Sequence, residues 1–150
     1  MATSSRGSAE AGTPQPGRAR WWWRAVAVWA LIALLETLHG VARTLWLLPL
    51  VGDLRSRQWA VVSALVIVFI VAWFTVRWIG ARGARQWLAV GLTWALLMAS
   101  FDITLGHWII GFPWSRIAQD FNPLDGGFLG LGMLAMAAAP LVAARWRGCA

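Results

Sequence analysis

The chain has 150 residues, 59% hydrophobic and only 13% charged, with a mean hydropathy of +0.62. A soluble domain is about a quarter charged, so there is too little charge to cover a water-facing surface, and lipid is the expected solvent. The net charge of +7 comes from thirteen Arg with no Lys, set between apolar runs rather than along one amphipathic face; this argues against a nucleic-acid partner and for loops held against anionic lipid.

Residues 1–20 (MATSSRGSAEAGTPQPGRAR) carry Gly, Pro, Ser and Arg without apolar periodicity, and read as a disordered cytoplasmic tail that buries too little to offset ordering. A single four-helix transmembrane domain is expected over 21–147. Its first segment opens at Trp21-Trp22-Trp23-Arg24, and the uninterrupted apolar run, Ala25 to Leu35, is short. A span needs about 20 residues, so the helix is expected to continue through Glu36, His39 and Gly40 towards Arg43 and Trp46, until Pro49 and Gly52 stop it. Glu36 and His39 interrupt the run and no clean cleavage site follows, so a retained helix is expected rather than a signal peptide.

The second segment, Trp59 to Trp78, is apolar and β-branched. In water that pattern suggests a strand, but in lipid only a helix satisfies its own backbone. The third runs from Trp87 to about Leu105 with Asp102 near its end. The fourth, from Gly126 or Gly127 to Ala144, is rich in Gly and Ala. Between the last two, Trp114, Ile117 and Phe121 recur at helical spacing opposite Arg116, Gln119 and Asp120, and Pro113 suits a helix start, so a short amphipathic helix is expected there, lying on the outer membrane surface or capping the bundle. The expected fold class is therefore all-α, an integral membrane four-helix bundle with a short amphipathic helix in the last outer loop.

Arg placement sets the orientation. Arg6, Arg18, Arg20, Arg24, Arg77, Arg82, Arg85, Arg145 and Arg147 fall on one side, and Arg43, Arg55, Arg57 and Arg116 on the other. The positive-inside rule then places both termini in the cytoplasm, and the Arg-only, Ala- and Gly-rich composition suggests a GC-rich bacterial genome, so the expected membrane is a bacterial inner membrane. Trp flanks the spans, as an aromatic belt requires. The single thiol, Cys149, supports neither a disulfide nor a cysteine metal cluster and reads as a free thiol on a tail.

The candidate site follows from depth. At 1.5 Å per residue, counting from Arg24, Glu36 lies roughly 18 Å up, His39 about 22 Å and Arg43 about 28 Å, in hydrocarbon about 30 Å thick. Asp102, counted from Trp87, comes to about 22 Å, with His107 a turn above. Glu36, Gly40 and Arg43 share one helical face, with His39 at its border. A charged group at mid-membrane costs about 2.5–3.5 kcal/mol, so Glu36, His39, Arg43, Asp102 and His107 form a candidate polar site. It reads as an interhelical clasp, with the carboxyls bonded to Arg43, His39 or the backbone of the fourth helix, as a proton-carrying or ligand-binding polar pocket open to the outside, or as side chains that snorkel to the interface without either role. Gly126 and Gly130 form a G-x-x-x-G spacing that would let helix four pack closely, and lack of bulk there would equally leave room for a ligand.

His39 and His107 come from different helices on one side, as axial ligands of a membrane haem b do. By helix rise they are about 7 Å apart in level, which disfavours that pairing. A zinc site needs three or four ligands, and no cofactor or metal is expected. No nucleotide, Ser-His-Asp or P-loop signature is present.

The stretches Glu36-Thr37-Leu38-His39-Gly40-Val41-Ala42-Arg43, Pro49 to Gln58, and Gly111-Phe112-Pro113-Trp114-Ser115-Arg116-Ile117-Ala118-Gln119-Asp120 resemble small uncharacterised four-helix bacterial inner-membrane proteins. That resemblance covers most of 24–147 and implies the fold but no activity. A Glu in the first of four helices is also similar to the small multidrug resistance transporters, though the strong charge bias departs from their pattern. The expectation is an accessory or structural membrane protein whose partners are lipid and a second copy or a membrane partner protein. The alternative is a proton-coupled small-molecule carrier, or an outer-leaflet membrane enzyme, using Glu36 and Asp102.

Overall fold

The computed structural model describes residues 17–150. Most of the expected 1–20 tail thus lies outside the described residues, but Gly17 to Arg20 already belong to the first helix. The elements are α1 (Gly17–Ala42), a π-helical turn (Arg43–Leu47), α2 (Leu48–Val51), α3 (Asp53–Ile79), α4 (Gly83–Thr104), a second π-helical turn (Leu105–Ile109), α5 (Trp114–Phe121), a 3-10 turn (Pro123–Asp125) and α6 (Leu129–Trp146). Among the described residues there is no strand, and four helices are long and apolar enough to cross a membrane: Arg20–Val51, Asp53–Ile79, Gly83–Ile109 and Leu129–Trp146. The chain is an all-α bundle of the multi-pass membrane type.

Two expected boundaries move. Pro49 does not stop the first span, because the wide turn at Arg43–Leu47 ends just before it and Pro49 enters the first turn of α2. A π turn releases the carbonyl that a proline ring would strike one turn back. Gly52, at φ 79°, is the true break. The second span then starts at once with Asp53, so the expected loop from Pro49 to Gln58 is a one-residue hinge between two helices. Within the spans, Thr37, Thr75, Thr93, Ser100 and Thr104 each donate their hydroxyl to the carbonyl four residues back. No hydroxyl of this set is left bare to lipid.

The first and last described residues lie at one end of the bundle, and the core is concentrated in that terminal half. It is built from Ala25, Val28 and Ile32 of α1, Ala72, Val76 and Ile79 of α3, Trp87, Val90 and Trp94 of α4, and Ala139, Ala143 and Ala144 of α6. Two Trp therefore belong to the core rather than to an interfacial belt. Their N–H groups are satisfied by backbone: Trp94 donates to the Ala25 carbonyl at 2.8 Å, and Trp87 to that of Cys149 at 3.2 Å. Cys149 is consequently half-buried against the core, not loose on a tail. Arg24 donates to the Trp78 carbonyl at 2.8 Å, in the last turn of α3, and Arg147 to that of Trp73, further inside the helix.

The closest helix approach is at Gly91 of α4, where an added Cβ would sit 1.8 Å from the Ala137 carbonyl oxygen of α6. The expected G-x-x-x-G contact does not form. Gly126, at φ 79°, lies in the turn after Asp125, and α6 begins only at Leu129, so Gly126 and Gly130 do not share a helix face. The Gly126-Gly127 pair has another use. A Cβ on Gly127 would lie 2.0 Å from the Gln119 carbonyl oxygen, so this connection packs directly on the end of α5. Gly126 in turn accepts a hydrogen bond from Gln58 of α3 at 3.3 Å.

Candidate functional site

The distal half, away from the chain ends, is built differently. The α6 span has 18 residues against 27 in each of the α3 and α4 spans. At 1.5 Å per residue that is about 27 Å against about 40 Å, so α6 gives out before its neighbours do. The gap is roofed by α5 and the Asn122–Phe128 connection. Beneath that roof lies a cavity of about 600 Å³ with walls from every span, within the usual ligand-pocket range of about 300–1,000 Å³.

Four of the five residues singled out from sequence line this cavity: Glu36, His39, Arg43 and Asp102. α1 carries the first two one turn apart, with His39 Nδ1 3.6 Å from Glu36 Oε2. The other ring nitrogen, Nε2, is 2.8 Å from Ser63 Oγ of α3. Ser63 Oγ also reaches back to the Trp59 carbonyl at 2.9 Å, which fixes the imidazole from a second helix. Glu36 Oε1 is shielded from solvent and has no hydrogen-bond partner. Asp102 enters from α4, so two carboxyls from different helices share one apolar enclosure with Met98, Phe101, Met133 and Met136.

Arg43 does not pair with either carboxyl. Its Nη1 donates to Ser56 Oγ at 3.0 Å, and Ser56, fully buried, donates in turn to the Asp53 carbonyl at 2.9 Å. The first guanidinium above the acidic groups thus ties the distal end of α1 to the start of α3.

His107 is placed elsewhere. It sits in the second π turn with Nδ1 2.9 Å from the Phe112 carbonyl oxygen, its ring 4.1 Å from that of Trp114, and it does not line the cavity. His39 and His107 therefore do not face one another across a shared space. Among the described residues no group of three or more His, Cys, Asp or Glu converges.

A second cluster, missed as a unit in the sequence, holds the roof. Asp53 in the first turn of α3 receives Arg57 at 3.2 Å and Arg116 of α5 at 2.7 Å, and Arg57 also pairs with Asp120 of α5. Arg116 and Asp120 belong to the polar side of the helix that the sequence reading lays on the membrane surface or across the end of the bundle, and the structure gives the capping arrangement. In the folded chain they turn inward and clamp α5 onto the start of α3. The only signal in the sequence was the presence of opposite charges in the two loops at this end of the bundle. Ser63 offered a similar faint cue, as a polar residue inside an apolar span.

No family model, curated protein or solved structure matches the chain. The site stands on its own geometry.

Proposed function

We propose that the chain is a bacterial inner-membrane protein that binds a small molecule in the distal cavity and exchanges protons with it through Glu36 and Asp102, in the manner of a proton-coupled carrier. The observation that carries this reading is an apolar cavity of about 600 Å³ holding two carboxyls with no guanidinium paired to them, one with a shielded, unpartnered oxygen. A clasp would use Arg43 or a neighbouring helix to satisfy that oxygen. Buried polar groups left unsatisfied cost stability, and their retention beside a cavity favours a functional role. His39, bridging Glu36 to Ser63, is placed to pass a proton between the carboxyl and α3.

The test is transport. Proteoliposomes with an imposed pH gradient and an internal pH dye are challenged with a panel of small organic cations, anions and neutral solutes. At least one solute should collapse the gradient faster with the wild-type protein, and Glu36→Gln should remove that effect while folding normally. A panel without any such solute, or a fully active Glu36→Gln, overturns the carrier reading.

The distal half is assigned to the outer leaflet, with both termini cytoplasmic, on the Arg imbalance between the two ends of the bundle. Because Cys149 is half-buried, the orientation is best probed with Ala150→Cys in a Cys149→Ser background. A membrane-impermeant maleimide should label it only after lysis; labelling of intact spheroplasts refutes the assignment.

A further inference from the structure

The cavity has a roof, a floor and walls, and they are not equally tight. The floor is the dense core. The roof is α5, held by the ion pairs of Asp53, Arg57, Arg116 and Asp120. On α1 the last buried residue is Ala33, and on α4 itself it is Met98, so both helices lose their inward packing at the level where the cavity begins. Among the neighbouring long spans, α1 and α4 make the least extensive contact, whereas α4 with α6 makes the most.

The α1 side of that seam is unusually bare. Gly40 lines the cavity, yet a Cβ there would meet nothing within 4 Å. Beside it, Val41 and Leu45 line the cavity while being 52% and 63% exposed. A residue that does both stands where the cavity meets the lipid-facing surface.

We infer that the cavity opens sideways, through a portal at Gly40 between α1 and α4, and admits an amphipathic molecule with a cationic head from the surrounding leaflet. This rests on the pocket reading above and deepens it. A ligand entering from hydrocarbon must itself be largely apolar, which suits walls formed by Met98, Phe101, Met133 and Met136. Methionine side chains adapt to varied apolar shapes, and an aromatic face attracts a cation. The head is cationic because Glu36 and Asp102 offer two carboxyls in the chamber, while Arg43 and Arg57 are engaged by Ser56 and by Asp53 and Asp120.

The experiment uses the full chain in liposomes and reads adducts at Glu36 by peptide mass spectrometry. The probes are dicyclohexylcarbodiimide, which dissolves in lipid, and a water-soluble carbodiimide of similar reactivity. The lipid-soluble reagent should modify Glu36 and the water-soluble one should not. Gly40→Trp, which places an indole in open space, should slow modification by about tenfold or more. Gly40→Ala should react at the wild-type rate, and thermal unfolding should show both variants folded. Dodecyltrimethylammonium should protect Glu36, and dodecyl sulfate should not. Equal labelling by both carbodiimides with no effect of Gly40→Trp refutes the portal while leaving the pocket intact. Protection by dodecyl sulfate alone refutes the cationic head. Absence of any adduct at Glu36 and Asp102 with either reagent sinks the pocket itself.

Discussion

A single methyl group at Gly91 should weaken the whole bundle. In Gly91→Ala the new Cβ would stand 1.8 Å from the Ala137 carbonyl oxygen and 2.7 Å from its carbon, both of them backbone atoms that cannot rotate away. Bringing the first contact out to 3.0 Å means that α6 withdraws by about 1.2 Å along that line. A radial gap of about 0.5–1 Å already forfeits a quarter to a half of the dispersion energy between facing atoms. In lipid, where neighbouring acyl chains are as apolar as leucine, packing is the main force between helices. Overpacking typically costs about 1–3 kcal/mol, against a gain of up to about 1 kcal/mol from replacing a helical Gly by Ala. Gly40→Ala supplies the same gain without a clash, since nothing lies within 4 Å of its Cβ. The two variants should therefore differ by about 1–3 kcal/mol, with Gly91→Ala the weaker. Equilibrium unfolding in mixed micelles with increasing dodecyl sulfate, followed by Trp fluorescence, measures the difference. If Gly91→Ala unfolds together with Gly40→Ala, the close approach of α4 and α6 is not what holds this half together.

Glu36→Leu should leave stability within about 1 kcal/mol of wild type or raise it, because it removes a shielded oxygen with no partner; a loss of more than about 2 kcal/mol in the same unfolding assay would mean that the carboxyl is a clasp after all. Arg57→Ala removes contacts to both Asp53 and Asp120, and should cost about 0.5–2 kcal/mol while speeding amide hydrogen exchange in Trp114–Phe121; unchanged exchange there would mean that α5 is held by other contacts. Trp94→Phe deletes the donor to the Ala25 carbonyl, and should lower stability by about 1–3 kcal/mol, read as a lower midpoint of thermal unfolding; a wild-type midpoint would show that this hydrogen bond contributes nothing.

The spans were legible because lipid leaves a chain few options. A run such as Trp59 to Trp78 can only be helical once water is absent, and α5 announced itself through Trp114, Ile117 and Phe121. Glu36, His39, Arg43 and Asp102 could be placed at similar depth from helix rise alone, and they line one cavity. What one-dimensional reading lacked was azimuth and partner. Arg43 looks like a natural counter-ion for Glu36 on the same face, yet Ser56, brought close by the tight break at Gly52, takes its guanidinium. His107 has the right depth but faces the Phe112 carbonyl and Trp114. G-x-x-x-G at Gly126 failed because the motif assumes a helix already running, and here the chain is still turning. Gly91, which makes the closest approach, stands in no such motif.

One feature of chain length links the core, the roof and the site. Because the α6 span is 18 residues where α3 and α4 have 27, four helices pack side by side only through the terminal half. There Trp87 and Trp94 fill the space between them. The first turns of α6 still line the cavity, but beyond them three spans and α5 enclose a volume that a longer α6 would have occupied. Had it stayed open to water, Glu36 and Asp102 would be ordinary solvated carboxyls with nothing to select. Had α6 been longer, its side chains would have filled the space and no ligand could enter. The charged clamp on α5 gives the intermediate result, a chamber roofed by partly exposed ion pairs over two carboxyls, one of them with a shielded oxygen. The densest packing and the carboxyl-lined cavity are therefore separated along the bundle axis, so under the proposed function substitutions in the chamber change binding while the terminal half keeps the bundle folded.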